Sequence, residues 1–352
     1  MMLAAACAVL LAASERPGAA LREEIGPPAA AEILRAAQLD AIAKGLEFLA
    51  AQQSRELGCI GAKYQVGVTS LAGLAFLGAG YGYNRGRHGE QIALCLKYVL
   101  ESAQSEAYPG FLAKAGEDHP MHGHALGVLF LTQVYGELPA GLQRKAGDAI
   151  RRGIERIRGA RSREGGWYYG PTNESHQDEN SVTVCVLQAL RGARNVGFDV
   201  GEELIAGARR YVERCQKADG SFRYQVAPEV TWSTYELTCA SVASLQALGV
   251  YGSDEVRRGL DCLERHLSRT PLEPLDAATR YRFYGNFYAA QVFFLAGGER
   301  WHAWHSRAFP QLIEEGRRQD WRWKDRFGDE SATAMAVLIL EVPLGYLPIF
   351  RR

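Results

Sequence analysis

The chain has no excess of charge of either sign: 40 Lys and Arg stand against 40 Asp and Glu in 352 residues. A neutral protein has no basic surplus with which to hold a phosphate backbone through counterion release, so nucleic acid is not expected as a partner. Proline is scarce, at 13 residues, while 47% of the chain is hydrophobic. That composition belongs to a folded globular protein rather than a disordered one. Past the first residues no run of 18 uninterrupted apolar residues occurs, so no transmembrane segment is expected in the mature chain. The cysteines form no CxxC pair and no regular spacing, which argues against a zinc ribbon or a disulfide framework. Cys185 and Cys239 fall in apolar helical stretches and read as buried thiols. Neither a metal nor a cofactor is implied.

Leu3 to Ala13 (LAAACAVLLAA) is an apolar run of 11 residues followed by Ser14. It is too short to span a bilayer and suits a signal-peptide core, with small residues for cleavage. The reading is a signal peptide and flexible start over residues 1–20, a linker over 21–37 and one domain over 38–352. It places the protein outside the cytoplasm, in the periplasm or cell envelope.

Internal repeats organise that domain. Six small-residue-rich apolar segments end on Leu77, Leu131, Leu190, Leu248, Leu295 and Leu340, and three positions earlier stand Leu74, Val128, Leu187, Leu245, Val292 and Val337. Apolar residues at three- and four-residue steps, with Gly, Ala or Ser between them, describe helices buried nearly all round. A more amphipathic segment precedes each one: 38–53, 89–104, 142–158, 202–217, 254–268 and about 301–316. The loops between carry a glycine or an acid beside an aromatic, as in Pro109-Gly110-Phe111, Gly165-Gly166-Trp167, Gly220-Ser221-Phe222 and Asp320-Trp321. Six helical hairpins of this length stack as an open solenoid or close into a ring, and periodicity alone does not choose.

Gln216-Lys217-Ala218-Asp219-Gly220-Ser221-Phe222 resembles the Q-x-x-D-G-S-W/F repeat of the prenyltransferase and squalene-cyclase repeat family, and Glu164-Gly165-Gly166-Trp167 resembles a degenerate copy. With the six-hairpin period the resemblance covers residues 38 to about 350. The closing stretch, Ala332 to Leu340 followed by Tyr346 to Phe350, is similar to uncharacterised exported bacterial members of that family. The resemblance implies an all-α fold: an α/α toroid of six inner and six outer helices with a central cavity.

Activity transfers less readily than fold. The D-x-D-D acid motif of class II terpene cyclases is missing. The nearest sequences are Phe327-Gly328-Asp329-Glu330-Ser331, with Asp329 at the acid position and Glu330 beside it, and Gln177-Asp178-Glu179-Asn180, with Glu179 there and Asp178 adjacent. The ordinary reading of both is helix N-terminal acids favoured by the macrodipole. The Asp, Cys and His that bind zinc in protein prenyltransferases have no counterpart in Tyr281-Arg282-Phe283-Tyr284-Gly285-Asn286, and there is no DDxxD for a magnesium diphosphate.

In such a ring the inner helices run in one sense, so the loops before them gather at one rim. That rim would hold His119, His122 and His124; His176, Asp178 and Glu179; Trp232, Tyr235 and Glu236; Tyr281, Tyr284 and Asn286; and Asp325, Arg326, Asp329 and Glu330. Asp329, Glu179, Asp178 and His122 are the candidate catalytic groups. His119, His124, His176, Trp232, Tyr235, Tyr281, Tyr284, Asn286 and Glu330 are candidates for lining the cavity. His122 and His124 are two residues apart and point to different helix faces, a poor start for a metal site. The expected partner is a small or chain-like ligand in the cavity. Three readings follow: an isoprenoid-cyclase-like enzyme using Asp329 or Glu179, a non-catalytic scaffold binding an envelope component, and a carbohydrate-active toroid with acid/base chemistry at the rim.

Overall fold

The computed structural model describes residues 29–104, 108–113, 117–269 and 281–351. The expected signal segment lies outside the described residues. Twelve α-helices occur among them: α1 Ala29–Gln52, α2 Gln65–Gly78, α3 Gly89–Ser102, α4 Pro120–Val134, α5 Ala140–Gly159, α6 Asn180–Asn195, α7 Glu202–Arg214, α8 Tyr235–Ala247, α9 Asp254–Arg269, α10 Arg282–Ala296, α11 Gly298–Arg318 and α12 Asp329–Glu341. No strand forms among these residues beyond isolated bridges such as Trp167 with Glu179. Contacts divide the chain into Met1–Asp40 and Ala41–Arg352, and the second unit holds everything discussed below. Helix α1 begins at Ala29, inside the stretch read as linker.

The even-numbered helices are the buried ones. In α2 every residue from Val66 to Gly78 is buried, and in α12 Met335 alone between Ser331 and Glu341 is not. Residues buried on all sides leave room only for small side chains between the large ones, which explains the Gly, Ala and Ser content. Helix α2 packs on α4, α4 on α6, α6 on α8, α8 on α10, α10 on α12, and α12 back on α2. The ring is therefore closed, and the domain is an α/α toroid. Helices α3, α5, α7, α9 and α11 each cover the inner helix before them.

The loops show why the sequence repeats. Gln53 and Gln216 each end an outer helix and use one amide to bridge two carbonyls: Gln53 those of Gly58 and Gln91, and Gln216 those of Gly220 and Glu255. Each glutamine thereby ties its own loop to the next outer helix. Gly58, Gly110, Gly165 and Gly220 have positive φ, and a Cβ at each would collide with that next helix, at Leu94, Arg152, Gly207 and Arg258. No other residue tolerates both conditions. The residue two positions after the glycine turns inward, and its backbone N–H is caught by the inner helix. Ile60 donates to Thr69, Trp167 to Thr183 and Phe222 to Thr238, at 2.9, 3.2 and 3.3 Å. Trp167 and Trp323 are fully buried wedges whose indole N–H groups donate to Ile157 and Leu312. Burying each ring contributes roughly 2–3 kcal/mol. The family-like motif is thus a clamp between neighbouring hairpins.

Candidate functional site

All six inner helices run from one rim, and there the ring encloses a cavity of about 590 Å³. Its wall is a set of i, i+4 stripes from the first turns: Gly67 and Leu71, His122 and Leu126, Ser181 and Cys185, Tyr284 and Tyr288, Ser331 and Met335. Leu237 and Phe287 add to the apolar floor, while Tyr64, Tyr169, Tyr224, Trp232, Tyr281 and Phe327 bring rings to the wall from the loops or helix starts. Among the described residues Glu117, Asp118, Glu236 and Asp325 also line it, against one residue with a guanidinium, Arg326. The volume lies in the range of small-molecule sites.

One polar assembly stands at the α4–α6 side. Glu179 is the N-cap of α6, fully buried, and accepts the backbone N–H of Val182 at 2.7 Å and the hydroxyl of Ser181 at 2.6 Å. Burial pushes its carboxyl up to about 7, against the lowering effect of the Ser181 and Tyr224 hydroxyls and the nearby backbone donors. Ser181 faces the cavity, with its Oγ 3.5 Å from Nε2 of His122. Burial pushes His122 down to about 4, so its imidazole is neutral at pH 7. Tyr169 and Tyr224 share a hydroxyl–hydroxyl hydrogen bond, and Tyr284 donates to the Ser181 carbonyl at 3.2 Å. Serine and two tyrosines thus connect a carboxyl that exchanges its proton near neutrality to the cavity surface.

Of the expected site residues, His119, His122, Trp232, Tyr281 and Tyr284 line the cavity. His119 stacks against Tyr169 with ring centroids 3.7 Å apart, and Trp232 against Tyr224 at 4.5 Å. The other expected residues stand off the wall. Glu179 lies behind it. Asp329 is paired with Arg322 at 3.4 Å, and Glu330 follows it in the first turn of α12. Asp178 accepts the Ser162 hydroxyl at 2.9 Å; that same oxygen receives the N–H groups of Gly165 and Gly166, so this acid braces a loop. His176 is exposed, Tyr235 stacks on His266, and Asn286 donates to the Arg282 carbonyl at 2.8 Å.

His124 is a structural residue. It stacks on Phe111, accepts the Leu112 N–H at Nδ1 at 3.0 Å and reaches the Gly153 carbonyl from Nε2 at 3.1 Å. It does for its hairpin what Thr69, Thr183 and Thr238 do for theirs, and burial pushes it down to about 4. Ser181, Tyr224, Glu117 and Asp118 are cavity residues that the sequence reading did not single out. The i+4 spacing of Ser181 and Cys185 at the start of a buried helix was the available signal for the first.

No family model matches the sequence, and no curated protein does. Among solved structures, a cellobiose 2-epimerase from Bacillus thermoamylovorans B4167 is similar, with a TM-score of 0.63 and 14% identity, covering 87% of this chain and 99% of that one. The likeness spans nearly the whole length of both and supports the toroid. Among the described residues no helix is long and apolar enough to cross a membrane, and no group of three or more His, Cys, Asp or Glu is placed to hold a metal ion.

Proposed function

We propose that the protein is a carbohydrate-active toroid whose cavity receives a small saccharide, with His122 and Ser181 passing protons between the ligand and Glu179. The observation that carries this reading is the pairing of ring faces with hydroxyls, carboxylates and a neutral imidazole on one cavity wall. Aromatic rings pack against the C–H faces of a pyranose while polar groups take its hydroxyls, and a purely apolar ligand would leave those polar groups without partners. Glu179 is poised for proton exchange at neutral pH because burial raises its carboxyl to about 7. His122 is a neutral donor or acceptor toward a ligand hydroxyl rather than a standing cation. The cellobiose 2-epimerase of similar fold acts, by its name, on a disaccharide, which supplies a precedent for sugar chemistry in such a ring.

The isoprenoid-cyclase-like reading is the alternative, and the raised carboxyl of Glu179 favours it. Against it, that reading needs a protonated acid aimed into an apolar chamber. Glu179 is instead turned toward Ser181 and Val182, and Asp329 is ion-paired. Four wall carboxylates also repel a diphosphate headgroup.

The test is to incubate the protein in D2O with glucose, mannose, cellobiose and, separately, squalene, and to follow each by NMR. New sugar signals or loss of a C–H resonance, abolished in His122→Asn with the thermal midpoint kept within a few degrees, is the expected result. Conversion of squalene with all sugars unchanged would overturn it.

A further inference from the structure

Glu236 is the cavity residue that the proton path above leaves unused. It is the second residue of α8, 8% exposed, and lines the cavity. Acids in a first helical turn are ordinarily stabilised by the dipole at the surface, as Glu202, Glu203 and Asp254 are here. Glu236 is instead pressed against α10, where Gly285 has no side chain and a Cβ would collide with the glutamate's own Cβ and Cγ. It makes no hydrogen bond and no ion pair among the described residues. Among the described residues the groups packed around it offer no compensating cation: Tyr235 and Tyr284 are phenols, Cys239 is a thiol, and His266 is held below its ordinary value by burial. A carboxylate that sits in a largely buried side chain, faces the cavity and has no donor of its own is open to a ligand that supplies one.

The rest of the wall points to the sign of that ligand. Glu117, Asp118 and Asp325 join Glu236 on the cavity surface, and among the described residues Arg326 is the one cationic side chain of fixed charge that lines it. Arg326 is exposed at the rim and lies over the Phe327 ring at 5.3 Å. Tyr284 lies near Glu236, and Tyr281 and Trp232 line the same cavity; aromatic rings in such a wall attract cations.

We propose that the cavity takes a ligand bearing a primary ammonium group, with Glu236 as the carboxylate that receives it; resting on the saccharide reading above, that ligand is an amino sugar with a free amine. The neutral N-acetylated form lacks the charge and is excluded from this class. A charge-assisted hydrogen bond to a carboxylate held in the cavity wall makes the difference large enough to read.

The test compares glucosamine, glucose and N-acetylglucosamine by calorimetric titration at pH 7 and low salt, with 1,4-diaminobutane as a sugar-free amine. Glucosamine is expected to bind roughly tenfold or more tightly than the two neutral sugars, with the preference falling below about twofold in Glu236→Gln. Glu236→Asp keeps the charge on a shorter arm and is expected to retain part of the preference, and a thermal melt of each variant confirms folding. Equal binding of all three sugars overturns the ammonium site and leaves the saccharide reading standing. Glu236-dependent binding of diaminobutane with no sugar binding does the reverse. A preference that survives in Glu236→Gln overturns the assignment to this residue, and binding of none of the four overturns both.

Discussion

Ser181 donates its hydroxyl proton to the carboxylate of Glu179 at 2.6 Å, and it does so from the wall of the cavity. The buried acid is reached from the ligand side through this side chain and through the hydroxyl of Tyr224. Because the folded-state carboxyl is raised to about 7 from an ordinary 4.5, the folded protein binds more protons than the unfolded chain between those values. Stability therefore falls as pH rises from about 4.5 to 7 and levels off above, by up to roughly 3 kcal/mol from this group alone. Glu179→Gln keeps an acceptor for the Val182 N–H and is expected to flatten that part of the profile. Urea melts from pH 4.5 to 8 on both proteins check it, and parallel profiles would remove Glu179 as the titrating group.

His124 has the opposite sign. Its folded value of about 4 lies below the ordinary 6.5, so its contribution is complete above 6.5 and is lost as pH falls toward 4. His124→Ala strands the Leu112 N–H in the interior and removes the contact to the Gly153 carbonyl, at an expected cost of about 1–3 kcal/mol. Faster amide exchange at Leu112 is the local readout. A variant as stable as the wild type would return His124 to the list of functional candidates.

The clamp glycines separate two costs that are usually confounded. Gly220 and Gly249 both have positive φ, but a Cβ at Gly220 meets the Arg258 carbonyl while one at Gly249 meets nothing within 4 Å. Gly249→Ala is expected to lose about 1 kcal/mol and Gly220→Ala at least twice that. Equal losses in chemical denaturation would mean that the inter-hairpin contact at Gly220 is dispensable.

The ring was legible because it is written in burial. The alternation of all-buried and amphipathic segments gave every inner and outer helix, and five of the six anchor leucines are buried, with Leu248 half-buried just beyond the end of α8. Closure was not legible, since it depends on α12 meeting α2, a contact between the two ends of the repeat array that no local pattern encodes. The rim was legible at the level of loops but not of side-chain direction. His122 and His124 are separated by two residues, and one faces the cavity while the other faces Gly153. Asp329 and Glu236 both begin inner helices; Arg322 engages the first, and α10 covers the second. Those outcomes depend on partners distant in sequence.

Trp232 offers a probe of the cavity mouth. It is 51% exposed and stacks on Tyr224. Trp232→Ala is expected to weaken saccharide binding by about tenfold, in line with the loss of one ring from a ligand site, while changing stability by less than about 0.5 kcal/mol. Unchanged affinity would place the ligand deeper than the mouth.

The central claim is that the cavity binds a saccharide. Saturation-transfer NMR on the folded protein, with glucose, glucosamine and cellobiose as separate ligands and Trp232→Ala as the control, tests it most directly. The account predicts transfer to at least one sugar, strongest for the aminated one and reduced in the control. Absence of transfer to all three, with transfer to an isoprenoid such as squalene, would contradict it.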